Sequence, residues 1–158
     1  MKRVMYALAV VMFSAVIAGP AMGQSAFVGT WKLNVAKSKF EGAPAPKSLT
    51  RTVTADGGSL KYSFEGVAAD GTKVAYGFTT KLDGSDSAVS GNGMPGGADT
   101  VALKKVSDHK IEGHTKKGGK EIGKVAAEVS ADGKTSTVKT EGKVDGKEVK
   151  AEQVYEKQ

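Results

Sequence analysis

Seven glycine-containing pairs punctuate the chain at short, even intervals, and this spacing narrows the choice of fold sharply. Asp-Gly stands at 56-57, 70-71, 83-84, 132-133 and 145-146, and Gly-Gly at 96-97 and 118-119. Both pairs supply the positive φ angles that tight hairpin turns demand. Successive pairs lie 14, 13, 13, 22, 14 and 13 residues apart, and the gap of 22 contains Ser107-Asp108, a further turn signal. Each interval holds one strand and one turn. No interval has room for a crossover helix, so neighbouring strands run antiparallel.

Between the turns the side chains alternate with the period of a half-buried strand. Residues 26–35 carry Phe27, Trp31, Leu33 and Val35 on one parity, and residues 48–55 set Leu49, Arg51 and Val53 against three threonines. Leu60, Tyr62 and Phe64 alternate with Lys61 and Ser63, and Val74, Tyr76 and Phe78 share a face. A short strand over 88–91 and longer ones over 99–106, 110–116, 121–130, 135–140 and 148–156 bring the expected total to ten. Gly42, Pro44 and Pro46 make 36–47 a connection without a long helix, and 91–97 reads as an irregular loop. The expected fold is all-β: a single antiparallel up-and-down β-barrel whose first and last strands meet through Trp31 and Tyr155.

The first 23 residues read as a signal peptide. Lys2 and Arg3 precede an apolar run from Val4 to Ala18, and Ala21-Met22-Gly23 presents small residues before a cut ahead of Gln24. The run of 15 residues is short for a membrane span, which takes about 20. The expected domain is 24–158, periplasmic or secreted. With no cysteine in the chain, lipoprotein acylation, disulfides and thiolate metal sites are excluded. Residues 24–158 carry 21 basic and 17 acidic side chains, and Arg51 is their only arginine. Phosphate recognition favours the planar arginine fork, so the basic excess points to solubility or surface association rather than nucleic acid.

The two ends of this domain carry a resemblance. Phe27-Val28-Gly29-Thr30-Trp31-Lys32-Leu33 resembles the opening strand of the fatty-acid-binding proteins, and Val154-Tyr155-Glu156-Lys157 resembles their closing strand. The chain is therefore similar to the calycin superfamily, and with its leader to small exported bacterial lipocalin-like proteins. The resemblance implies a ten-stranded barrel that holds an apolar ligand. It also implies that Gln153 and Tyr155 stand where the fatty-acid-binding proteins read a ligand carboxylate with Arg-x-Tyr. Gln153 offers donor and acceptor without charge, which favours a neutral polar head. The segment 36–47 is too short for the helical lid of those relatives.

Seven of the eight aromatic residues beyond the leader precede residue 80, so large side chains from the first half face small ones from the second. Such a barrel is either tightly filled or hollow. Tyr62, Phe64, Tyr76 and Phe78 are then ordinary core or the wall of a ligand cavity, with Gln153 and Tyr155 as polar contacts. Arg51 shares the inward parity of Leu49 and Val53. It either snorkels to water at the rim or anchors an anion inside. Trp31 is expected to close the barrel floor beside Gly29, with ligand contact as the lesser reading.

His109 and His114 point to opposite faces if they share a strand, so neither a metal nor a cofactor is expected, and no nucleophile motif is present. Residues 104–124 carry seven lysines against three acids. Lys104, Lys110, Lys116 and Lys124 are thus either a solvated outer wall or a basic patch for an anionic membrane surface. A membrane-embedded barrel is a rival architecture, although aromatic girdles are missing. The functional expectation is a non-enzymatic barrel that binds or carries a hydrophobic, lipid-like small molecule. The alternative is a solid-core interaction module, such as an inhibitor or envelope-binding protein.

Overall fold

The computed structural model describes residues 25–158; the signal peptide expected at 1–23 lies outside the described residues. Eleven strands follow one another: β1 (Gly29–Glu41), β2 (Ser48–Asp56), β3 (Ser59–Val67), β4 (Lys73–Thr80), β5 (Asp83–Ala88), β6 (Ser90–Asn92), β7 (Thr100–Ser107), β8 (Lys110–Lys117), β9 (Lys120–Val129), β10 (Thr135–Val144) and β11 (Lys147–Lys157). A single 3-10 turn, Pro95–Gly97, interrupts them. Every ladder is antiparallel, and the order across the sheet is β5-β7-β8-β9-β10-β11-β1-β2-β3-β4-β6. The first and last strands meet as expected, with Trp31 opposite Lys157 and Leu33 opposite Tyr155.

The sheet becomes a nearly closed barrel through one bent strand. Only Val89 separates β5 from β6, yet β5 pairs with β7 while β6 pairs with β4. The short strand expected at 88–91 is therefore the middle of a longer one that changes partner. Asp83-Gly84 is not a hairpin turn. It lies inside β5, at an irregularity in its pairing with β7, and the chain reverses at Lys81-Leu82, where Leu82 has a φ of 57°. The β2–β3 turn falls one residue later than the expected Asp56-Gly57: Asp56 still pairs with Ser59, and the turn is Gly57-Gly58. Gly118-Gly119 and Asp145-Gly146 form two-residue hairpin turns as expected, and all three turns have positive φ.

The expected connection at 36–47 is also shorter than its composition implies. β1 continues to Glu41 after a bulge that shifts its register on β11 between Asn34 and Lys39. Side chains hold the extra residues. The Ser38 hydroxyl donates to the Asn34 carbonyl at 2.7 Å and accepts from the Val154 amide at 2.9 Å. Asn34 in turn accepts the Lys37 amide through its side chain at 3.1 Å. Phe40 thereby turns inward against the core.

The inward residues of all strands form one core. Its floor holds the most deeply buried side chains: Phe27, Trp31, Val53, Thr80, Ser136 and Tyr155. The Trp31 indole N–H donates to the Phe27 carbonyl at 2.9 Å, so the largest side chain is both buried and satisfied. Lys157 passes over the outer face of the same indole, 5.3 Å from the ring centre, and its stem occupies the space that a side chain at Gly29 would need. Charged residues populate the outer wall. A membrane barrel needs the opposite arrangement, an apolar band facing out. No helix of the described residues is long and apolar enough to cross a membrane.

Candidate functional site: the barrel lumen

Above the floor the barrel holds a partly open cavity of about 170 Å³. Strand pleating aims four aromatics at it from one wall. Tyr62 stands opposite Phe78, and Phe64 opposite Tyr76, across the β3–β4 ladder. The ring centres are 4.9 Å and 4.7 Å apart and the planes nearly parallel, a 2 × 2 stack of cross-strand pairs. Small and medium side chains face this wall from the other half, among them Val125, Ala127, Val138 and Thr140. The size mismatch between the two halves therefore leaves space, but only a modest amount. The lumen is smaller than the roughly 300 Å³ usual for a ligand site.

Arg51 is the chief polar feature of the lumen. It is not at the rim: its relative exposure is 3%. β2 places it between Trp31 on β1 and Phe64 on β3. Its guanidinium carbon lies 4.5 Å from the centre of the Tyr155 ring and 5.3 Å from that of Trp31, two cation–π contacts. Its Nη2 donates to the Ser136 hydroxyl at 2.9 Å. No carboxylate of the described residues pairs with it. Burial pushes its pKa below the usual arginine value, and the nearby tyrosines oppose that shift. Its Nε has no hydrogen-bond partner among the described residues, and neither has the buried Tyr62 hydroxyl.

The tyrosines are protonated at neutral pH. Burial raises Tyr62 and Tyr155 to about 12 against the opposing pull of Arg51, and raises Tyr76 as well. The Tyr155 hydroxyl donates to Gln153 Oε1 at 3.2 Å, so Gln153 is partly engaged within the protein. All seven residues singled out from the sequence (Arg51, Tyr62, Phe64, Tyr76, Phe78, Gln153 and Tyr155) line this one cavity.

Two contributors were not anticipated. Ser136, fully buried, is the only side chain among the described residues that accepts a hydrogen bond from Arg51. Its signal was a serine on the same parity as Val138. The second is the segment after β6: Met94, Pro95 and Gly96 line the lumen, and the Gly96 backbone packs against Ile122 and Val144. The irregular loop expected at 91–97 thus pairs with β4 at its start and lines the cavity beyond.

The other charged candidates lie outside. The four lysines do not form a uniform basic patch. Lys110 pairs with Glu112 at 3.0 Å and Lys116 with Asp86 at 2.8 Å. Lys104 stands between Asp83 and Glu112 in register, and Lys124 between Glu141 and His114. His114 meets Glu121 at 3.0 Å on the outer wall, whereas His109 sits in the β7–β8 turn with its Nδ1 3.1 Å from the Val129 carbonyl oxygen.

This sequential, nearly closed antiparallel barrel has counterparts among solved structures. It superposes on zebrafish ileal bile acid-binding protein complexed with cholic acid, with a TM-score of 0.51 and 13% identity, over 85% of this chain and 100% of that one. The fold is calycin-like. A second similar structure is the siderocalin Ex-FABP, described as functioning through dual ligand specificities, with a TM-score of 0.46, 10% identity, and coverage of 85% and 71%. No protein-family model and no curated protein matches the sequence. This calycin-like barrel has eleven strands rather than the expected ten, because the strand that closes it is split in two.

Proposed function

We propose that the barrel binds an apolar small molecule in its lumen and performs no chemistry on it. The observation that carries this reading is that a stacked aromatic wall and the polar residues Arg51, Gln153 and Tyr155 come from separate strands to line one largely apolar cavity. An apolar ligand placed there gains the burial of its own surface against that wall. Tyr62, Phe64, Tyr76 and Phe78 supply the apolar wall, and Arg51, Gln153 and Tyr155 the polar contacts. A guanidinium, together with tyrosines that burial holds above their normal pKa, can orient a ligand, but both are poor bases at neutral pH, which supports carriage rather than catalysis.

The leader-type segment supports a periplasmic or secreted location, where a small carrier would meet lipid-like or other apolar compounds. Cholic acid, crystallised with the zebrafish protein, is a four-ring acid and exceeds the lumen described here. A second reading has one specific observation behind it. A lumen of about 170 Å³ is small enough for the barrel to serve as a solid-core interaction module. Native mass spectrometry of protein isolated from its own host compartment separates the two. Co-purified small molecules support the carrier; mass corresponding to the bare chain together with a protein partner favours the interaction module.

A further inference from the structure

We infer that Met94 is an oxidation site, and that oxygen transfer to its sulfur from a peroxide-class oxidant loosens the segment it anchors on the lumen wall. The modification stands apart from the lumen reading above; only its effect on a bound molecule rests on that reading.

Chemistry comes first. The chain has no cysteine, and four of its five methionines, Met1, Met5, Met12 and Met22, lie in the leader. Met94 therefore carries the only sulfur of residues 25–158. Its side chain is half-buried, whereas Trp31 and Tyr155 have almost no exposed surface. No thiol is present to react first. A sulfur lone pair attacks one oxygen of hydrogen peroxide, the O–O bond breaks and an S–O bond forms. The departing hydroxide takes the proton from the new S–OH group and leaves as water. Sulfur loses two electrons, the peroxide gains them, and the product is the sulfoxide.

Placement comes second. Met94 lies between β6 and β7, in a stretch that apolar packing holds against the barrel. Over 93–98 no backbone hydrogen bond reaches a neighbouring strand among the described residues; the Gly97 N–H donates within the stretch, to the Met94 carbonyl at 3.0 Å. The flanks are tied: Asn92 Nδ2 donates to the Lys73 carbonyl at 3.0 Å, and the Asp99 N–H to the Lys116 carbonyl at 3.0 Å. Between them the Gly93 backbone packs against Val74 on β4, and the Gly96 backbone against Ile122 and Val144 across the barrel. Ala98 is buried, and Met94 reaches the core and the lumen with the one long side chain of the stretch. Oxidation makes that side chain polar. A polar S–O group buried without a donor is costly, so the side chain turns to water and the stretch loses its anchor.

Graded hydrogen peroxide treatment of the purified protein tests this, with N-acetylmethionine in the same solution as rate reference. Peptide mapping locates the added oxygen, and amide exchange at Gly97 and Asp99 reads the anchoring. N-phenyl-1-naphthylamine, a neutral apolar fluorophore, reads the lumen. We expect Met94 to oxidise within about tenfold of the reference rate, because susceptibility follows exposure. Exchange at both amides should then be at least about tenfold faster, the scale of burying one unpaired polar group, and the fluorophore should bind more weakly. A methionine sulfoxide reductase should reverse both changes. Met94→Leu should show neither change under peroxide. Met94→Gln, polar and of similar length, should show the faster exchange without any oxidant. Met94 left intact while the reference is consumed overturns the site. Full conversion to the sulfoxide with unchanged exchange at both amides overturns the loosening. Faster exchange in peroxide-treated Met94→Leu assigns the effect to damage elsewhere and overturns it too. A fluorophore that binds no form of the protein counts against the lumen reading alone, and the exchange data still decide the inference.

Discussion

The guanidinium of Arg51 lies over the Tyr155 ring, 4.5 Å from its centre, although the two residues stand on strands from opposite ends of the chain. β1 lies between those strands and contributes Trp31 to the same stack. The floor of the barrel is therefore built around a cation. Such a floor is a poor choice for stability alone, because two ring contacts and one hydroxyl replace bulk water only in part.

Arg51→Met should accordingly leave the ligand-free protein as stable as wild type or more stable, by up to a few kcal/mol. Urea unfolding measures this directly. A loss greater than about 2 kcal/mol would show that the cation–π stack holds the floor together.

Trp31→Ala should be the most damaging single truncation in the floor. Trp31 has no exposed surface and satisfies its own N–H through Phe27. The expected cost is about 3–5 kcal/mol, visible as a lower urea midpoint by circular dichroism. A cost under about 1 kcal/mol would mean that Lys157 and Phe27 collapse into the space.

Alkaline pH should unfold the protein in a defined window. Burial holds Tyr62 and Tyr155 at about 12 in the folded state, above the ordinary value of 10. A raised pKa in an acid means that the folded form keeps its proton longer. The associated stability is thus fully present below pH 10 and is lost between pH 10 and 12. Every tenfold difference in proton affinity between folded and unfolded chain is worth about 1.4 kcal/mol. Phenolate absorbance against pH in native and urea-unfolded protein checks the point. Coincident titration curves would contradict it.

The path of the Met94–Gly96 segment along the lumen depends on Gly96. Its φ is 69°, and a Cβ there would stand 3.1 Å from Ile122 Cδ1. Gly96→Ala should therefore cost about 1 kcal/mol and lift the Met94–Pro95 segment. Ligand exchange should speed up while the rest of the barrel keeps its hydrogen-exchange protection. Unchanged exchange kinetics would mean that ligands pass elsewhere.

The outer lysines should give little membrane affinity. Lys110 and Lys116 are paired with carboxylates, and Lys104 and Lys124 have acidic neighbours across their ladders. Neutral and anionic vesicles should bind equally weakly at low salt. Strong selectivity for anionic vesicles that fades with added salt would restore the basic patch.

By itself the sequence determined the antiparallel meander, the meeting of β1 with β11, and which side chains face inward. These follow from local rules. Glycine pairs permit reversals wherever they occur, and a two-residue period assigns each of Leu49, Arg51, Val53, Tyr62 and Phe64 to a face without reference to anything distant. Only the tertiary structure decided that Asp83-Gly84 is a strand irregularity, that β1 runs through a bulge to Glu41, and that the strand from Asp83 to Asn92 changes partner to close the barrel. Those outcomes depend on how edges from separate parts of the chain align as the sheet curls. The depth of Arg51 and the volume of the lumen belong to the same class. Parity says that a side chain points inward. How much space it finds there depends on side chains from the opposite wall, more than 70 residues away in sequence between Arg51 and Val125.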